Sequence, residues 1–193
     1  MGGVDFVFTK KANNEACIVG VNFDKEVKKI VFPAVVKESG RKFVVTEISG
    51  EYTHFAVTDR RRKDYGSHII ARSIVGYIFS QGVWKNVKEI QLPKTLKKIG
   101  PCAFYQLPVK SIVIPKGVEE IGRSAFECSK LEGTIVSPSK MKKIGDYAFN
   151  CTPKITLEIK NDEGTVTFGC SALGSNDEVK YVGKGFFSKL FGK

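Results

Sequence analysis

Between Leu92 and Phe149 the apolar positions obey one rule written three times. Each copy opens on a residue and a proline (Leu92-Pro93, Ile114-Pro115, Ser137-Pro138). An apolar residue follows three positions later (Leu96, Val118, Met141), then an isoleucine and glycine (Ile99-Gly100, Ile121-Gly122, Ile144-Gly145). Each copy closes on Ala-Phe, at 103-104, 125-126 and 148-149, so the period is 22 residues and then 23. A fixed period in the twenties predicts a solenoid whose coils cannot bury their apolar sides alone and stack like positions into columns. Phe104, Phe126 and Phe149 are expected to form one such column. Alternation over Val109 to Ile114 predicts a strand with one face inward, ended by Pro115, which has no N–H for a ladder. The glycine after each isoleucine suits a corner with positive φ or with no room for a Cβ.

The flanks depart from the rule. Val4, Phe6 and Phe8 alternate with polar residues, as do Cys17, Val19, Val21 and Phe23, with Asn13-Asn14 between, which predicts an N-terminal hairpin capping the first coil. The first repeat begins at Ile30-Val31-Phe32-Pro33 and is interrupted by a polar turn, Lys37 to Lys42, read as a small inserted hairpin. From Gly50 to Ser73 the repeat is irregular, and it returns at Ile74 to Phe79. Alternation at Ile155, Leu157 and Ile159, a turn at Asn161 to Gly164, and Val166 with Phe168 predict a closing hairpin, and Glu178 to Val182 a last strand. The chain is therefore expected to divide into a cap (1–29), a solenoid (30–153) with an insertion at 50–73, capping strands (154–182) and a basic amphipathic tail (183–193).

Val109 to Cys128 follows Leu-x-x-Ile-x-Ile-Pro-x-x-Val-x-x-Ile-Gly-x-x-Ala-Phe-x-x-Cys nearly position by position, and so resembles the BspA-like leucine-rich repeats. Pro33 to Ile48 resembles the segment with which that family commonly begins. Cys128 and Cys151 come two residues after their phenylalanines where the family has three, and Tyr105-Gln106-Leu107 has no cysteine. The resemblance implies a β-rich, right-handed solenoid with a parallel sheet. It also implies a non-enzymatic interaction module at the cell surface that recognises a protein or glycan partner, by adhesion or host-surface recognition.

Charge adds a second class of partner. The formal charge is +11, spread over the chain, which raises nucleic acid or an anionic membrane as alternative ligands. Arg60, Arg61, Arg62 and Lys63 form a basic loop with Tyr52, Phe55 and Tyr65 nearby, a composition that pairs phosphates and stacks bases. The outward positions of the strands, Lys88, Glu89 and Gln91, then Lys110, Ser111 and Val113, then Glu132, Thr134 and Val136, form the candidate binding face of the solenoid. No catalytic, metal or cofactor site is expected: the two histidines, His54 and His68, stand at a spacing that matches no catalytic or metal motif. Cys128 and Cys151 are expected as buried thiols pointing to the core, which together with the absence of a signal-like N-terminus leaves a reducing compartment open. No apolar run is long enough to span a bilayer.

Overall fold

The computed structural model describes residues 4–23, 27–50 and 86–182. The basic loop, both histidines, the Ile74 to Phe79 copy and the tail lie outside the described residues.

A hairpin opens the fold. Strands β1 (Val4–Lys10) and β2 (Glu15–Phe23) pair antiparallel, and Asn13 and Asn14 make the turn at φ 59° and 56°, a conformation asparagine tolerates. The first coil carries β3 (Lys29–Val31), then the inserted hairpin of β4 (Val35–Glu38) and β5 (Arg41–Ile48). Strand β2 lies parallel to β5 and so covers the open edge of that coil.

Each later coil has three sides. One begins with the strand before the turn: β6 (Glu89–Gln91), β9 (Gly133–Ser137), β11 (Ile155–Ile159) and β13 (Glu178–Tyr181). The next carries a two-residue strand: β7 (Lys98–Ile99), β8 (Glu120–Ile121), β10 (Lys143–Ile144) and β12 (Thr167–Phe168). These short strands continue β5 in one parallel ladder, β5-β7-β8-β10-β12. The third side is the Ala-Phe corner, where alternate N–H groups of one coil donate to the next. Cys102, Phe104 and Gln106 bond to the carbonyls of Arg123, Ala125 and Glu127, and Ser124, Phe126 and Cys128 to those of Asp146, Ala148 and Asn150. The intervening N–H groups of Ala103 and Tyr105 turn back to Gly100 and Cys102, so the corner is hydrogen-bonded without being a strand or helix.

The phenylalanine column forms as expected. Phe104 stacks on Phe126 at 5.5 Å and Phe126 on Phe149 at 5.1 Å, nearly parallel, all three fully buried. Phe32 meets Phe104 edge-on and Phe6 packs on Phe32, so the N-terminal hairpin joins the same core. Leu96, Val118, Met141 and Val166 fill a second column, and Ile99, Ile121 and Ile144 a third. The glycines serve close approach and not positive φ. A Cβ on Gly122 would lie 2.6 Å from the Pro101 nitrogen, and one on Gly145 2.7 Å from the Arg123 nitrogen.

Three expectations are corrected. The segment from Lys110 to Ile114 keeps its alternation, with Ile114 buried and Val113 exposed, but it is not a strand. It divides the first side into two ladders, β3-β6 and β9-β11-β13. On the β9 side the Glu132 N–H still meets the Lys110 carbonyl, and Gly133, the extra residue of the 23-residue step, follows at φ 78°. Second, β11 and β12 do not pair as a closing hairpin. Strand β11 lies parallel to β9 and β13, and β12 parallel to β10, so 155–173 make a further coil. Phe168-Gly169 and Ala172-Leu173 stand where earlier copies have Ile-Gly and Ala-Phe, and Leu173 bridges to Phe149 at the end of the column.

The third correction concerns the thiols. None of the five cysteines is in a disulfide, but only Cys17 is buried; Cys128 is half-buried and Cys151 exposed. Both sit in the left-handed region at φ 55° and 56°, at the bend that carries the chain out of the Ala-Phe corner, and this bend turns them away from the core.

Candidate binding face

The strands before each turn hold their odd and even residues on opposite sides, so the inward set (Ile90, Ile135, Leu157) is buried and the outward set is presented to solvent. Lys88, Glu89 and Gln91 are exposed on and beside β6, Lys110, Ser111 and Val113 on the next coil, and Glu132, Thr134 and Val136 on and beside β9. The fold thus brings every described residue of the candidate face to the surface on one side of the stack. Val113 is 82% exposed and Val136 40%, and Val31 adds a third exposed valine on β3 at 50%. Val31 pairs in register with Gln91, and Val136 with Glu158 and then Lys180. The outward row along the stack therefore begins apolar and ends charged.

Charges are paired across coils more than within them. On the candidate face Lys29 bridges Glu89 at 2.6 Å, Lys110 bridges Glu132 at 3.0 Å and Lys154 bridges Glu178 at 2.9 Å. On the neighbouring side Lys97 reaches Glu15 and Lys142 reaches Glu119, at 2.6 Å and 2.5 Å. Hydrogen bonds from these lysines hold the carboxyls of Glu15, Glu119 and Glu178 below the usual carboxylate range. Exposed pairs of this kind contribute about 0–1 kcal/mol each and serve mainly to keep coils in register.

The turn between the first two sides carries a different pattern. Lys94 and Lys116 directly follow Pro93 and Pro115, Lys140 stands two residues after Pro138, and Lys160 follows β11. All four are exposed, and among the described residues none of them forms an ion pair. Sequence reading did not single out this row, although the repeat of lysine just past each proline is visible once the copies are aligned. A shallow polar cleft of about 250 Å³ lies at the C-terminal end of the stack, lined by residues that include Cys151, Lys154 and Asp177. Among the described residues no cluster of His, Cys, Asp or Glu is arranged to hold a metal ion, and no helix is long and apolar enough to cross a membrane.

These features define a class: a solenoid repeat protein whose coils are stacked by parallel ladders and whose outward side chains are free to differ from copy to copy. The chain belongs to the BspA-type leucine-rich repeat family, since the family described as "BspA type Leucine rich repeat region (6 copies)" matches residues 72–187. No curated protein matches it. Among solved structures it is similar to the pneumococcal vaccine antigen PcpA, with 18% identity and a TM-score of 0.51 over 92% of this chain and 48% of that one. A leucine-rich cell surface protein from Faecalibacterium prausnitzii is 16% identical, with a TM-score of 0.47 over 95% of this chain and 55% of that one. The chain thus spans about half the length of these two proteins. At such identities the likeness is one of fold.

Proposed function

We propose that this chain is a non-enzymatic interaction module that holds a protein or glycan partner on the outward face of its first side. The single observation that carries the reading is the row of exposed valines: Val113, at 82% exposure, stands between lysines and carboxylates already paired with one another. An apolar centre with a polar rim is the composition of a recognition surface, and the residues repeated for stacking leave these positions free. A surface setting, with adhesion or recognition as the role, is the part of this reading that rests on membership of the BspA-type leucine-rich repeat family.

The test is binding of the purified chain to panels of immobilised surface glycans and surface proteins, with wild type beside the double variant Val113→Asp, Val136→Asp. Ligands of the face should bind about tenfold more weakly or worse to the variant. Retention of every ligand by the variant would place the site elsewhere.

A second reading, binding of an anionic polymer or lipid surface, is favoured by the lysine row at the turn. Lys94, Lys116 and Lys140 stand on three consecutive coils, and coils in a ladder are spaced by about 4.8 Å. An extended polyanion lying along the stack would meet one cation per coil. Replacing Lys94, Lys116 and Lys140 with serine should weaken binding to heparin, nucleic acid or anionic vesicles at roughly physiological salt, where generic attraction is screened. The same assay with Arg60, Arg61 and Arg62 changed to serine separates this row from the basic loop. If neither triple variant loses affinity, the anionic reading is abandoned.

A further inference from the structure

The corner ladder sets two thiols side by side. Cys128 donates its N–H to the carbonyl of Asn150 at 2.9 Å, which in a parallel ladder puts Cys128 level with the next residue, Cys151. Level residues on neighbouring strands have Cα atoms about 4.8 Å apart, inside the roughly 4.4–6.8 Å spanned by disulfides. Both residues have the same left-handed backbone, φ 55° and 56°, so their Cβ bonds leave the chain in the same sense. The Cys151 thiol lies near enough to Cys128 to act on its titration, as does the Tyr105 hydroxyl from the coil before. Cys151 is exposed at the rim of the cleft and Cys128 is half-buried behind it.

We propose that Cys128 and Cys151 form a modification site: an intrachain disulfide between consecutive coils, made when a small-molecule disulfide of the glutathione type reaches the exposed Cys151. The chemistry is two thiol–disulfide exchanges. The Cys151 thiolate attacks one sulfur of the reagent, its S–S bond breaks, and one small thiolate leaves with the electron pair. The Cys128 thiolate then attacks the Cys151 sulfur, breaks the mixed disulfide and expels the second small thiolate. Two cysteine thiols are oxidised by two electrons, one reagent disulfide is reduced to two thiols, and those thiols take up the two protons. Burial, and after it the neighbouring Cys151 thiol, push the Cys128 thiol above its ordinary value. The order of attack follows: Cys151 meets the reagent and Cys128 resolves.

Cys102 and Cys170 have no such partner. Cys102 is level with Ser124, and Cys170 with Asp146, whose carboxylate accepts its N–H at 2.8 Å. The cross-link would tie two coils through the Phe126 to Phe149 section of the core, closing a loop around residues 129–150.

The experiment treats the reduced full chain with oxidised glutathione and maps its peptides without reduction. Wild type should lose two hydrogens, yield one cross-linked peptide joining Cys128 to Cys151, and melt several degrees higher than the reduced chain. Cys128→Ser should instead stop at a stable glutathione adduct on Cys151, and Cys151→Ser should form no cross-link. The proposal is overturned if wild type retains the adduct as Cys128→Ser does, if the cross-link joins other cysteines, or if no reaction occurs at Cys151.

Discussion

Phe126→Ala is expected to cost the fold about 3–5 kcal/mol, as deletion of a fully buried ring generally does. Phe126 is the middle ring of the column, in contact with Phe104 on one side and Phe149 on the other, so truncation removes two stacked contacts and opens a cavity across three coils. The walls of that cavity cannot close. Each neighbouring backbone is held by the corner bonds, from Phe104 to Ala125 and from Phe126 to Ala148, both at 2.7 Å. Urea unfolding of wild type and variant measures the effect, and a loss below about 1 kcal/mol would show that the rings do not carry the stack. Phe126→Leu should be far milder, because Leu173 already occupies the equivalent place at the last coil.

Gly122→Ala should also destabilise, by roughly 1–3 kcal/mol, the usual cost of overpacking a tight contact. The added methyl would stand 2.6 Å from the Pro101 nitrogen and 2.7 Å from the Gly100 carbonyl carbon, both backbone atoms that cannot swing aside. Without that clash, replacing glycine by alanine would reduce the freedom of the unfolded chain and stabilise by about 0.4–1 kcal/mol. The sign of the change in unfolding midpoint therefore decides between them: a midpoint equal to or above that of wild type would mean that coils at this corner are not in backbone contact. Gly145→Ala provides a second measurement at the equivalent position one coil further on, where the nearest atom is 2.7 Å away.

The sequence pattern is least decisive where the repeat is broken. Gly133 is one inserted residue, visible as a step of 23 in place of 22, yet the first side also breaks at the 22-residue step before it, and where it breaks depends on which carbonyls remain opposite which N–H groups. Residues 155–168 alternate as a strand on either a hairpin or a coil would, because alternation records one buried face and says nothing of the direction of the neighbour. Here the inward Ile155, Leu157 and Ile159 continue the packing of β9, so the parallel arrangement prevails. The copy at Phe168-Gly169 and Ala172-Leu173 is not legible as a repeat because two of its four key residues are changed.

The candidate face was legible for a related reason: once the coils are aligned, inward and outward positions follow from strand parity, and every described residue of that face is exposed. The lysine row needed the tertiary structure, since exposure could be inferred from sequence but the lack of an ion pair to any of the four lysines among the described residues could not. Lys97 and Lys142 belong to the same runs of basic residues, and both are paired, with Glu15 and Glu119.

The sequence by itself determined the stacking. In a solenoid each repeated position has the same environment in every coil, so identity at a fixed period is already a statement about three-dimensional contact, and the phenylalanine column, the close glycine corners and the family follow from it. Only the tertiary structure decided how the coils meet at their exceptions: that the first-side ladder breaks over 110–114, that Cys128 and Cys151 turn outward and lie level, and which charges find partners. Those outcomes depend on backbone dihedrals and on the alignment of residues more than twenty positions apart, and a pattern of residue types along one chain encodes neither.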